Sequence, residues 1–218
     1  MPPLKGAAPA PTVSQPQSSA SPLAQSAPRS LILACGALAQ EILTLIQLNS
    51  WHHMDLICLP ATLHNTPDKI PDLVEQAVHT HRDRFDTIFV AYADCGTGGL
   101  LQKRCAALGV EMIAGPHCYS FFTGNALFAT QDEISTFYLT DFLARQFETL
   151  VWRPLGLHTH PELHQMYFGH YTDLVYLAQT DDPALDHKAQ ACAARLKLTY
   201  SRRFTGYGDL DLALRPRH

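Results

Sequence analysis

No stretch of this 218-residue chain approaches the roughly 18 consecutive apolar residues of a membrane-spanning helix, so no membrane partner is expected. A basic excess is missing as well. Sixteen Lys and Arg stand against 20 Asp and Glu, a formal net charge of -4, which gives no general pull toward nucleic-acid phosphates or anionic lipid. The cysteines form no CxxC pair, no HExxH is present, Lys103 stands outside any GK[ST] context, and no GxGxxG occurs, so the short-range signatures of metal and nucleotide sites are absent. Acid is lacking from residues 1–29, which are rich in Pro, Ala, Ser and Gln and show no hydrophobic period; such a segment cannot offset the entropy of ordering and reads as a disordered tail. Ser, Pro and Gln interrupt every candidate signal-peptide core there, and Arg is too scarce for a transit peptide. Internal repeats and a second domain are not evident either.

What remains is a chain of strand and helix patterns in alternation. Leu31–Ala34 is a short apolar run, Gly36 a corner, and Ala37–Leu48 has Leu38, Ile42, Leu45 and Ile46 at helical spacing. Asp55–Leu59 repeats the apolar run and Pro60 closes it; the polar loop Ala61–Pro67 leads to a helix over Asp68–His81 with Ile70, Leu73, Val74 and Ala77 on one face. Thr87–Ala93 feeds a helix over Thr97–Leu108, Gly109 is its expected left-handed cap, and Val110–Ala114 starts a further strand. Ser120–Thr140 reads as aromatic and irregular, followed by a helix over Asp141–Trp152, a strand over Thr172–Ala178, a helix over Pro183–Leu196 and a peripheral strand over Leu198–Phe204. Apolar strands alternating with helices predict one α/β domain over residues 30–208, with a mostly parallel open sheet covered by helices on both faces in a Rossmann-like three-layer sandwich, and a short tail over 209–218. Right-handed crossovers then gather the strand-to-helix loops at the carboxyl edge of the sheet, where open α/β sheets bind ligands.

Three of the six cysteines fall in those loops. Cys35, Cys95 and Cys118 each stand where a strand run gives way to a turn or helix start, a position whose backbone N–H groups favour thiolate. Three converging thiolates repel each other unless a cation sits between them, so the pattern points to a shared site for zinc or an iron–sulfur cluster. His64 and His117 stand where a fourth ligand or a general acid/base is wanted, or serve as structural hydrogen-bonding groups. Asp94 either tunes the Cys95 thiolate or caps the following helix. Cys58, inside a strand run, and Cys105 and Cys192, inside helical patterns, read as core residues. His160 and His164 have i, i+4 spacing, but His160 precedes the helix, which favours a surface or capping role. Cys95–Gly99, CGTGG, offers a weak phosphate cradle at a helix start. Without metal, Cys95 or Cys118 becomes a candidate nucleophile with His117 or His64 as base. A small-molecule substrate and a cytoplasmic location with reduced thiols complete the expectation. The residues leave open whether the protein is an enzyme.

Taken together, CGALAQE, LPATLHNTP, YADCGTGG, GPHCYSFF, TFYLTDFL, HPEL and YLAQTDD resemble the domain-of-unknown-function family DUF1638 over Leu31–Gly206. The resemblance implies a bacterial or archaeal protein of a family without an established activity, with members encoded near corrinoid-dependent methyltransferase systems, and hence a link to one-carbon metabolism. Cys35, Cys95 and Cys118, with His64 and His117, fall in the family-like segments; Cys58, Cys105 and Cys192 need not. The genomic link suggests, as a further alternative, a non-enzymatic accessory protein that docks onto a corrinoid methyltransferase partner through Tyr119–Phe128, a segment whose phenylalanines otherwise read as core.

Overall fold

The structure is a computed structural model, described here over residues 28–131 and 133–215. The tail expected over residues 1–29 lies, apart from Pro28 and Arg29, outside the described residues. β1 (Ser30–Cys35) is buried on both faces after its first residue, as a run of Leu, Ile and Ala with no polar alternation requires. It pairs in parallel with β2 (Met54–Leu59) on one side and β3 (Thr87–Ala91) on the other, with Ser30 opposite both Met54 and Thr87. α1 (Ala39–Leu48) follows β1 through a 3-10 turn, and α2 (Ile70–His81) follows β2 through two more. α3 (Leu100–Leu108) follows β3, and β4 (Glu111–Met112) completes the sheet in the order β2-β1-β3-β4.

The parallel α/β class holds, but the strands divide between two sheets. β4 ends after two residues of the expected Val110–Ala114 because Gly115 (φ +153) and Pro116, which has no N–H, turn the chain out of the ladder. The aromatic segment then forms α4 (Ser120–Thr123) and α5 (Asn125–Thr130) before β5 (Thr136–Thr140), a strand inside the stretch expected to be irregular. α6 (Asp141–Phe147) continues into a wider π turn at Glu148–Trp152, and α7 (Leu163–Phe168) precedes β6 (Asp173–Ala178), α8 (Pro183–Leu196) and β7 (Thr199–Phe204). The second sheet is parallel throughout, in the order β5-β6-β7.

Each sheet has its own core, one built on Leu33, Ile42, Val74 and Leu101, the other on Leu139, Leu174, Tyr176 and Leu196. Residues 209–214, read from sequence as lying beyond the domain, belong to α9 (Gly208–Leu214), which places Leu210 and Leu214 in the first core. Gly208 is obligatory there: φ is +49, and a Cβ would stand 2.3 Å from the Phe121 carbonyl oxygen. Asp209 Oδ2 also accepts the Asn125 N–H at 2.7 Å, so the chain end is tied to the segment between the sheets. Among the described residues, no helix is long and apolar enough to cross a membrane.

The carboxyl ends of β5 and β6 are clamped by Asp141, which is fully buried. It accepts from the Tyr176 hydroxyl (2.7 Å), the Gln179 N–H (3.1 Å) and both the N–H (3.0 Å) and the hydroxyl (2.5 Å) of Thr180. Glu41 of α1, also buried, lies within the electrostatic reach of Asp141 and Arg145, and its Oε2 has no hydrogen-bond partner. Burial, above all, raises the Glu41 pKa. The two carboxylates therefore differ in kind: one is satisfied, the other disfavours its own charge.

Asp141→Ala, which strands several donors, should cost about 3 kcal/mol in denaturant unfolding, against less than about 1 kcal/mol for Asp181→Ala in the exposed pair with Arg202. A carboxyl whose folded pKa is raised loses stability as pH climbs through its titration range. Glu41→Gln should accordingly raise the urea midpoint at neutral pH and lose that advantage below the carboxyl range, where wild type is neutral too. An unchanged midpoint at neutral pH would contradict the burial of this charge.

Candidate metal centre

In a sheet ordered β2-β1-β3, the chain leaves β1 in one direction and returns on its other side, so a crevice opens between the carboxyl ends of β1 and β3. Cys35 is the last residue of β1, and its Sγ accepts the Ala37 N–H at 3.4 Å as the cap of the turn that follows. Cys95 follows β3 in a left-handed conformation (φ +48), uncommon for a residue with a Cβ. The loop is held there by backbone bonds of 2.9 Å from Asp94 N–H to Gly115 O and from Cys95 N–H to Pro116 O. Those same bonds bring up the segment after β4, which carries Cys118. His64 comes from the 3-10 turn Ala61–Asn65 after β2, where its Nδ1 lies 3.1 Å from the Ala61 carbonyl oxygen.

The four side chains meet. Cys95 Sγ is 3.1 Å from Cys118 Sγ, and Cys35 Sγ is 3.8 Å from His64 Nδ1. One ligand atom each from Cys35, His64 and Cys118 lies within 4.8 Å of the others, with both sulfurs buried and His64 exposed. The electrostatics respond to this crowding. Cys35 and Cys95 are both pulled down to about 5, first by hydrogen bonding with Cys118 and then by His64, against the opposing effect of burial. Cys118 is pushed well above the ordinary thiol range because its proton is what stabilises its neighbours. His64 is pushed up to about 10 by hydrogen bonds to Cys35 and Cys95. Two thiolates, one thiol and one imidazolium thus leave the cluster with one excess negative charge.

Other candidates stand elsewhere or have structural work. His117 is not one of the donors that come within 4.8 Å; its ring stacks on Tyr119 at 4.9 Å, and burial lowers its pKa. Asp94 behaves as a cap of the glycine loop, whereas α3 itself starts after Gly99 with no side-chain cap bond. Burial works against its charge, but the Gly99 N–H (2.6 Å), the Thr97 hydroxyl (2.8 Å) and the Gly98 N–H (3.1 Å) hold its carboxyl below the usual range. These bonds consume the N–H groups of the CGTGG loop, so an internal carboxylate sits where a phosphate cradle was expected. His160 pairs with Glu162 and His164 bonds to the Leu196 carbonyl, so the two do not converge. Cys105 and Cys192 are buried in helices as expected, but Cys58 is not a core residue: β2 is an edge strand, and Cys58 is exposed on it. Phe121 and Phe122 are core residues of α4.

Sequence reasoning missed Tyr92, the first residue of the YADC motif, three residues before Cys95. It is fully buried, its hydroxyl has no hydrogen-bond partner of good geometry, and burial followed by the Cys35 and Cys118 thiols raises its pKa. A hydroxyl at the end of an apolar strand was the available signal. Also missed was a cavity of about 380 Å³ between the two sheets, with His64 and Cys118 in its wall beside Tyr119, Phe122, Phe137 and Leu143. A larger cavity, about 750 Å³, lies at the opposite edge of the first sheet around Ser30, Thr87 and Glu111, away from the thiols.

A family model described as a protein of unknown function, DUF1638, matches residues 58–214. His64, Cys95 and Cys118 lie within the match, whereas Cys35 precedes it on the strand against which β2 and β3 pair. No curated protein and no solved structure matches the chain.

A thiol whose folded pKa is lowered contributes stability that is complete above its ordinary pKa and is lost as pH falls through the folded value. In metal-free protein, thiolate ultraviolet absorbance from Cys35 and Cys95 should persist at pH 7 and disappear only as pH falls through about 5. Cys118→Ala should move that loss to higher pH, and His64→Ala should move it by less, while Cys105, pushed up to about 11 by burial, should add nothing at pH 7. Absence of thiolate absorbance at pH 7 would refute the cluster's charge pattern.

Proposed function

We propose that this chain, which belongs to the DUF1638 family of proteins of unknown function, binds a single zinc ion through Cys35, His64 and Cys118 and uses it on a small molecule held in the adjoining cavity. The observation that carries the reading is the approach of those three donors to within 4.8 Å of one another. A tetrahedral ion with Zn–S of about 2.3 Å and Zn–N of about 2.0 Å sets its ligand atoms roughly 3.5 to 3.8 Å apart, which the 3.8 Å between Cys35 Sγ and His64 Nδ1 matches. A four-iron cube is itself several ångströms across and holds its cysteine sulfurs further apart than this, so the spacing favours one ion over a cluster. Two thiolates and a neutral imidazole also balance a divalent charge, which suits a buried site.

Cys95 decides whether such a site is closed or open. It touches Cys118 at 3.1 Å but does not belong to the set that lies within 4.8 Å. With Cys95 bound, the ion has four protein ligands and a structural role; with Cys95 free, the fourth position faces the cavity that His64 and Cys118 line, and the ion acts as a Lewis acid. The cavity favours the open form. A bound ion would supply polarisation of a substrate atom, while His64, Cys118 and the surrounding aromatic wall orient the substrate and exclude water. The lowered pKa of Cys95 beside His64 favours a second reading, a metal-free cysteine nucleophile with His64 as its partner.

Elemental analysis of protein purified without chelators should find about one zinc per chain. Cys35→Ala, His64→Ala and Cys118→Ala should each weaken zinc binding by at least about tenfold, and Cys105→Ala should leave it unchanged. Iron and sulfide in place of zinc would replace the single ion by a cluster. A wild type that takes up no metal on reconstitution would leave the nucleophile reading, which then requires that alkylation of Cys95 abolish activity.

A further inference from the structure

The cavity beside the candidate ion has a lining that selects by charge. None of its wall residues is Asp, Glu, Lys or Arg, and His64 is its one readily ionised group. Its wall comes from both halves: Phe122 and Leu38 from the first, Phe137, Phe142, Leu143 and Leu155 from the second. Two of the polar groups in that wall are committed to the protein, and Asn65, Thr136, Tyr119 and Tyr171 add polar atoms beside the rings. Tyr138 donates its hydroxyl to Glu133, and Thr140 Oγ1 accepts the Leu143 N–H at 3.2 Å. Phe137, Phe168 and Tyr171 pack against each other with ring centroids 5.5 to 6.0 Å apart, and Tyr119 stacks on Tyr138 at 5.3 Å. A ligand thus meets ring edges and aliphatic carbon along its length and finds soft donors only at the His64 and Cys118 end.

We propose that this cavity is a binding site for an uncharged small molecule with an apolar, aromatic or branched hydrocarbon body and one thiol at its end, which reaches the ion between His64 and Cys118. The ligand class rests on the zinc reading of the same site. Removing an ionic group from water into such a wall, with no counter-charge to meet it, is costly, whereas a ring or alkyl group gains by leaving water. A thiolate-rich zinc prefers a soft fourth ligand, and a thiol that binds there gives up its proton to solvent or to a basic group, with no change in oxidation state. A charged thiol of similar length meets the same ion but no partner for its second charge.

Two thiols separate the classes. Cobalt-substituted wild type is titrated with phenylmethanethiol and with 2-mercaptoethanesulfonate, reading the visible cobalt bands. Phenylmethanethiol should shift them at a concentration at least about tenfold lower. Equal or tighter binding of the sulfonate, or no band shift with either thiol while cobalt is bound, overturns the proposal. Leu155→Trp, which fills the cavity from a partly buried loop position, should remove the preference while cobalt uptake is retained. Metal-free protein with ethylbenzene distinguishes the two readings: a rise in melting temperature that Leu155→Trp abolishes keeps the apolar cavity even where zinc binding has failed, and no rise in wild type overturns the cavity as a ligand site.

Discussion

Parallel pairing on both sides of β1 is the constraint from which the chemistry of this protein follows. A strand with neighbours on both edges and helices over both faces has to be apolar throughout, and SLILAC is. Parallel neighbours deliver every following loop to the same end. Because β2 and β3 flank β1, the turns after all three strands surround one crevice, and Cys35, His64 and Cys95 arrive there without any sequence proximity. Cys118 is brought in differently. The strand before it is only two residues long, and the bonds from Asp94 and Cys95 to Gly115 and Pro116 do the positioning that a longer ladder would have done.

Crowding then governs the charge of the site. Sulfurs 3.1 Å apart cannot both be anionic in a buried environment, so the metal-free cluster retains one proton on Cys118 and recruits another cation in the form of protonated His64. A divalent ion would do the work of both. It would displace the Cys118 proton and the His64 proton together, inverting the order of acidities within the site. The strained Cys95 backbone and the Asp94 cap make sense in this setting, because they hold the thiol in place whichever cation is present.

Much of this was legible from periodicity alone. The run and helix patterns locate most elements; for the helix at Pro183–Leu196, Asp182 accepts the Ala184 N–H and Pro183 supplies the first turn, so its start was written locally. The strand-end cysteines were legible for the same reason, since a loop position depends only on where a strand stops. The division into two sheets was not. It hinges on β4 ending early, and the apolar run Val110–Ala114 does not itself show that its ladder to β3 covers only Glu111 and Met112. β5 went unseen inside an aromatic segment because Thr136–Thr140, TFYLT, is a short run of Phe, Tyr and Leu between two threonines, with no alternation to mark it. Cys58 shows the converse error: an apolar run identifies a strand but not whether it lies at an edge.

The two halves divide the labour. The first sheet and its loops contribute every sulfur of the cluster, and the second contributes most of the apolar wall that faces it. A wall from β5, α6 and the π turn can form part of the site only if its distance from the first sheet is fixed. One feature that fixes it is α9, which returns from beyond β7 to bury Leu210 and Leu214 in the first core. Asp141 in turn binds the ends of β5 and β6 together, so the helix that supplies Phe142 and Leu143 to the cavity is anchored at its first residue. The polar contact that looks unrelated to the thiols is therefore what holds the far wall of their cavity together.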